Sequence, residues 1–120
     1  CHISRELHDI LEKGLHYGKV SGGAFDITIA PVSSLWDFKG EGKRAPQKKR
    51  IREAVGKVSY QKISLEEGKV IFKEPGMALD LGGIAKGYIA DALKEYLVEH
   101  GVESGIINLG GNVLCIGQKP

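Results

Sequence analysis

The residues best placed to do chemistry lie in Met77-Ala-Leu-Asp-Leu-Gly-Gly-Ile-Ala-Lys-Gly-Tyr88. An apolar segment ends in a carboxylate, Asp80, and glycines then open onto a helix with Lys86 in its first turn. Backbone amides at a helix N-terminus, with the helix dipole behind them, attract phosphate. Asp80, just before that turn, is a candidate to hold a metal ion or orient a polar ligand. The pattern points to metal-assisted chemistry on a phosphorylated ligand, without naming it. Gly82, Gly83 and Gly87 lack the G-x-G-x-x-G spacing of a dinucleotide loop, and Lys86 is followed by Gly87 rather than the Ser or Thr of a Walker loop. On these residues alone the stretch reads equally as a tight strand-to-helix turn in which Asp80 caps the helix.

The elements that must position these residues follow from hydrophobic period and punctuation. Ile3 to about Tyr17 reads as a helix, with Ser4 as N-cap, Leu7, Ile10, Leu11 and Leu15 as its apolar stripe and Gly18 as its stop. His8 and His16 are too far apart on it for an i, i+4 ligand pair and read as surface histidines. Lys19 to Gly42 mixes glycines with apolar residues and reads as a binding loop leading into a short helix. Lys39 to Ala45 reads as an exposed loop, and Pro46 opens a helix to about Val55 with Ile51, Ala54 and Val55 inward.

Tyr60–Leu65 and Lys69–Lys73, around Glu66-Glu-Gly68, predict a β-hairpin, and Met77–Leu81 a third strand. Gly83 to His100 predicts the longest helix, with Ile84, Ala85, Tyr88, Ile89, Ala92, Leu93, Tyr96 and Leu97 on one stripe and Gly101 as stop. Asp91, at the edge of that stripe, reads as structural, paired with Lys94 at i, i+3. Ser104–Leu109 and Asn112–Ile116 predict a second hairpin around Gly110-Gly111. The expected fold class is α+β, a mostly antiparallel sheet with helices packed on it.

Composition narrows the partners. The chain has 120 residues, enough for one core, and a net charge of +2 with acids and bases mixed. Lys39, Lys43, Arg44, Lys48, Lys49, Arg50 and Arg52 gather on one stretch, but without the interleaved aromatics of a nucleic-acid surface. They read as a solvated loop and helix face, and no nucleic-acid partner is expected. There is no transmembrane-length apolar run and no signal peptide in this chain. Cys1 is rejected as a lipidation site because a helix follows it at once, without a tether. Cys1 and Cys115 are too few to fix a redox compartment and form no metal pattern. A first residue other than Met, and a break at Gly117-Gln-Lys-Pro120, lead to the expectation of an internal fragment.

Three segments in order carry a family resemblance. They are Ser21-Gly-Gly-Ala-Phe-Asp-Ile-Thr-Ile-Ala-Pro31 running on to Leu35-Trp36-Asp37-Phe38, then Leu79-Asp-Leu-Gly-Gly-Ile-Ala-Lys-Gly-Tyr-Ile-Ala-Asp91, then Ile106-Ile-Asn-Leu-Gly-Gly-Asn-Val113. Their wording and spacing, over essentially the whole chain, resemble the ApbE family of FAD:protein FMN transferases, formerly described as thiamine-biosynthesis lipoproteins. The resemblance implies an ApbE-like fold, incomplete at both ends, with residues 1–120 as its central section.

It also implies roles. Ala24, Phe25 and Asp26 match the flavin-contacting tripeptide, Asp80 matches an aspartate at the FAD site and is the candidate catalytic residue, and Lys86 matches an FAD-contacting lysine. Gly83 matches a position whose main-chain carbonyl helps bind Mg²⁺, and Asn108-Leu-Gly-Gly111 matches a turn in the pocket wall. The structural alternatives stay open: Phe25 as a core residue, Asp26 as a turn cap, Gly83 as a plain turn glycine and Lys86 as a solvated helix lysine. Further Mg²⁺ ligands and the family's histidine lie downstream of this chain and the adenine contacts upstream. None of His2, His8, His16 or His100 falls in a motif.

The activity implied for the full-length protein is Mg²⁺-dependent transfer of FMN from FAD to a Thr or Ser hydroxyl of a target protein, with release of AMP. The implied acceptors are redox proteins with an Asp-Gly-x-Ser/Thr-Gly-Ala-Thr-like motif, modified outside the cytoplasm by a membrane-associated bacterial enzyme that a lipid can tether. Two other readings remain open, an FAD pyrophosphatase giving FMN and AMP, and a non-catalytic flavin-binding protein. The fragment alone is expected to be inactive.

Overall fold

A computed structural model of the chain describes residues 1–36 and 45–118. Asp37, Phe38 and the basic residues Lys39, Lys43 and Arg44 lie outside the described residues. The chain divides into two compact units, Cys1–Leu81 and Gly82–Pro120. Both are α+β, and the strands form two antiparallel two-stranded sheets.

The first unit is organised around the helix α1 (Arg5–Val20). Ser4 is its N-cap, the hydroxyl accepting the Leu7 amide at 3.1 Å. The helix runs on past Gly18, where the sequence predicts its end. Gly18 is buried inside it because the Tyr60 ring lies there, 3.0 Å from where a Cβ would stand. The stop comes instead at Gly22 and Gly23, whose φ of 62° and 85° places them in the left-handed region.

Leu11, fully buried, forms the core with Ile27, Ile63 and Val70, and Leu7, Leu15 and Phe25 pack around them. Gly14 belongs to this core for lack of a side chain, since a Cβ there would lie 2.8 Å from Ile27 Cγ2. Ile27 is 1% exposed and has no room to yield. Gly14→Ala is therefore expected to lower stability by about 1–3 kcal/mol, although alanine favours helix, as thermal unfolding would show. A stabilising effect would contradict this packing.

The next elements are the short helix α2 (Ala30–Ser33) and α3 (Lys48–Val55). Ala54 is buried and Ile51 half-buried as expected, but Val55 is 54% exposed. Tyr60–Lys62 forms a 3₁₀ turn rather than the start of a strand, because side chains of the Asp26–Thr28 loop capture the Ser59 and Tyr60 amides. The hairpin is β1 (Ile63–Glu66) with β2 (Lys69–Phe72), and pairing of Glu66 with Lys69 leaves Glu67-Gly68 as its turn. Residues 1–3 run along β2, with Cys1 and Val70 exchanging backbone hydrogen bonds at 3.0 Å and the Ile3 amide donating to Gly68.

Met77–Leu81 joins no ladder among the described residues, contrary to the predicted third strand. Alternation survives: Met77, Leu79 and Leu81 pack on the core. The Asp80 amide donates to the Ile27 carbonyl at 2.7 Å.

In the second unit α4 (Ala85–Glu99) is followed by β3 (Gly105–Leu109) and β4 (Asn112–Ile116). Ala90, Ile107 and Ile116 form its core, with Leu97, Val102, Leu109 and Leu114 packed around it. The predicted stripe is buried less than expected, with Ile89 50%, Leu93 39% and Tyr96 58% exposed. The register Leu109↔Asn112 leaves Gly110 and Gly111 as the turn, with φ of 63° and 98°. Two successive positive φ angles define a type I′ turn, the one matched to strand twist. The proposed Asp91–Lys94 pair is not formed within ion-pair distance among the described residues.

Candidate functional site

In the first unit the glycine loop delivers Phe25 and Asp26. Ser21 holds the loop from two sides, its carbonyl accepting the Ala24 amide and its hydroxyl accepting the Phe25 amide at 3.0 Å. The Gly22 and Gly23 amides turn back to Lys19 and Gly18. These amides are thus engaged within the loop rather than turned out to a ligand. Phe25 is half-buried on the core, and Tyr17 meets its ring edge-on at 6.5 Å between centroids.

Asp26 fastens this loop to the body of the unit. One carboxylate oxygen accepts the Thr28 amide at 2.8 Å and the Thr28 hydroxyl at 2.7 Å, and the other accepts the Tyr60 amide at 2.9 Å. Thr28, fully buried, accepts the Ser59 amide in turn. Asp26 therefore acts as an anchor, in line with the turn-capping alternative. Thr28 was not singled out in the sequence. Its signal is the Asp-x-Thr spacing of a side chain that bonds two residues ahead.

Asp80 joins the same neighbourhood. Its amide is held by Ile27, and its carboxylate accepts the Ser33 hydroxyl of α2 at 3.1 Å. The structure thus brings together two motifs far apart in sequence, the Phe25 loop and the Asp80 segment. Ser33 had no sequence signal, because 47 residues separate it from Asp80.

In the second unit Gly82–Ile84 form the turn before α4. The helix begins behind Ile84 with no side-chain cap and no acidic residue in its first turn. Lys86, exposed in that turn, reaches the β3–β4 connection, its Nζ lying 3.5 Å from where a Cβ on Gly110 would stand. Lys86 and the glycine turn are therefore neighbours. Asn108 shapes that turn by accepting the Gly111 amide at 2.9 Å, a structural task.

Two residues, each within its own unit, carry an oxygen donor of a kind that suits a hard divalent cation. In the first unit Asp80, a half-buried residue, offers a carboxylate, and in the second Gly83, an exposed residue, offers a main-chain carbonyl. Carboxylate and carbonyl oxygens are the donors Mg²⁺ accepts, so each residue by itself has a suitable donor atom. A further group, His8, Asp9 and Glu12 on α1, places ligand atoms within 4.8 Å of one another in a solvent-facing position. No sequence motif includes it.

The ApbE family model matches residues 1–120. The chain belongs to the ApbE family. A FAD:protein FMN transferase of Klebsiella pneumoniae (strain 342) is 37% identical over 118 residues, covering 97% of this chain and 37% of that relative. One of Treponema pallidum (strain Nichols) is 32% identical over 124 residues, covering 98% and 34%. Among solved structures, the apo flavinyl transferase ApbE of Pseudomonas stutzeri superposes with a TM-score of 0.88 at 28% identity, covering 99% of this chain and 38% of that one. The ApbE protein of Thermotoga maritima gives the same TM-score and identity, covering 98% and 40%. This ApbE chain thus spans between 34% and 40% of the relatives it matches here. The family fold is shown, and it is the α+β arrangement expected from the sequence.

Proposed function

We propose that this chain is the central section of a Mg²⁺-dependent flavin transferase that moves FMN from FAD onto a Ser or Thr hydroxyl of a target protein. The observation that carries the reading is the tie between the Asp80 amide and Ile27, which sets a carboxylate beside the Phe25 loop. A ring-packing surface and a phosphate-side carboxylate in one place suit a flavin nucleotide. The names borne by the relatives support it.

In the reaction the acceptor hydroxyl oxygen attacks the FMN-side phosphorus of FAD. A new O–P bond forms, the bond to the AMP oxygen breaks, AMP leaves with the electron pair, and the hydroxyl proton passes to a base. When bound, Mg²⁺ neutralises charge on the diphosphate. The Asp80 carboxylate, oriented by Ser33, would be a ligand of that ion. The uncapped start of α4 and Lys86 attract the phosphate oxygens. Phe25 packs against the flavin ring, and Asp26 keeps the loop in place. None of the chain's histidines is assigned the base.

The acceptor is a redox protein bearing an Asp-Gly-x-Ser/Thr-Gly-Ala-Thr-like motif, reached at the outer face of a bacterial membrane to which a lipid can tether the full-length enzyme. No described helix is long and apolar enough to cross a membrane.

Chromatography of FAD turnover by the full-length protein tests the reading. AMP is expected to appear in step with modified acceptor. FMN and AMP formed equally well without acceptor would make it a hydrolase instead. Lys86→Ala is expected to weaken FAD binding by about tenfold, or about 1.4 kcal/mol, in a calorimetric titration. An unchanged affinity would remove Lys86 from the site.

A further inference from the structure

The face of the Met77–Leu81 segment that carries Asp80 also forms one wall of a groove. Met77, Leu79 and Leu81 turn toward the core, which leaves Ala78 and Asp80 on the other side of the segment. Ala78 lines a cleft of about 450 Å³ whose other walls are α2 and α3. The helix α2 borders both places, Ala30 and Pro31 facing the cleft while Ser33 bonds the Asp80 carboxylate. The cleft and the Asp80 carboxylate on which the proposed chemistry rests thus share α2 and the Met77–Leu81 segment, within a single unit of the fold.

Its lining has a definite character. Pro31 and Ala54 give it apolar walls, and Arg50, Glu53 and Lys57 give it a charged rim with an excess of positive charge. The cations continue along α3, whose first turn holds Lys48, Lys49 and Arg50 with no acidic residue and no side-chain cap. Cations at a helix N-terminus oppose the helix dipole. Their placement is thus unfavourable for the helix itself and favourable for an anionic partner lying along it. Nothing in the Asp80 chemistry uses this groove.

The geometry points to this groove as the docking site of the acceptor polypeptide, which would lie with acidic residues along α3 and its hydroxyl toward Asp80. This inference rests on the transferase reading above and adds to it the acceptor's path and charge preference. An extended segment with small residues fits a cleft of this volume, and carboxylates flanking the modified Ser or Thr would meet Arg50 and Lys57. Such contacts are screened by salt, so acceptor affinity should fall as ionic strength rises.

The test uses the full-length protein and two readouts. The first is fluorescence anisotropy of a labelled peptide, a single Thr flanked by Glu residues, measured without FAD. The second is KM and kcat for FMN transfer to the same peptide, beside the Kd for FAD. Arg50→Glu places an acid where the helix dipole welcomes one, so folding is not at risk. It should raise both the peptide Kd and the KM by about tenfold, with kcat and the FAD Kd unmoved. Lys57→Gln should act in the same direction.

The inference is overturned if Arg50→Glu leaves peptide binding and KM unchanged, or if it raises the FAD Kd instead, which would make the groove part of the nucleotide site. Loss of binding to a single-stranded oligonucleotide, with the peptide unaffected, would also overturn it. Peptide binding that Arg50→Glu abolishes, with no transfer in the native protein, would sustain the groove and refute the transferase reading.

Discussion

Asp80→Ala in the full-length protein is expected to reduce FMN transfer by about a thousandfold or more while the fold survives. The carboxylate stands where two motifs meet, and it accepts the Ser33 hydroxyl at 3.1 Å. Its amide bond to Ile27 belongs to the backbone and persists in the variant. Losing the Ser33 contact should cost about 1 kcal/mol, a shift of a few degrees in melting temperature. Asp80→Asn can keep the Ser33 bond through its amide oxygen, yet it lacks the charge that a diphosphate-bound cation requires. It should melt like the native protein and be nearly as inactive as the alanine variant. A collapse of stability in either variant, in step with activity, would make Asp80 a structural residue.

The second large effect is expected at Asp26, and it falls on the fold. Both carboxylate oxygens accept from donors, Thr28 on one side and Tyr60 on the other. An asparagine offers only one acceptor, so its NH₂ group must face a backbone N–H whichever way it turns. The Thr28 hydroxyl cannot relieve this freely, because it already accepts from Ser59. Asp26→Asn should therefore lower stability by about 3 kcal/mol, close to the effect of Asp26→Ala. It should also weaken FAD binding, since the Phe25 loop loses its anchor. Urea unfolding measures the first effect, and a loss below about 1 kcal/mol would show that the anchor matters little.

The contrast between these two aspartates shows what the sequence can and cannot reveal. Local patterns announced themselves: the Ser4 cap, the apolar stripe of α1, the glycine turn at Gly110-Gly111 and the α4 helix each follow from residues close together in the chain. The family motifs named the candidate residues in the same way, and the ApbE fold followed. Assigning roles within the motifs needed the third dimension. Asp26 and Asp80 look alike in their motifs, but one meets Tyr60 and the other Ser33, contacts with no local signature. Gly18 reads as a helix stop until Tyr60 is placed on it. Ile89, Leu93 and Tyr96 have helical spacing suited to burial, yet periodicity does not say how much partner surface is there to cover them. Met77–Leu81 alternates like a strand, but ladder pairing depends on a neighbour that the segment's own residues do not specify.

The most direct test is the intact mass of an acceptor peptide after incubation with the full-length protein, FAD and Mg²⁺. The account predicts one added FMN on its Ser or Thr, dependent on Mg²⁺ and absent with Asp80→Ala. An unmodified peptide beside FAD fully converted to FMN and AMP, or beside FAD left intact, would contradict it.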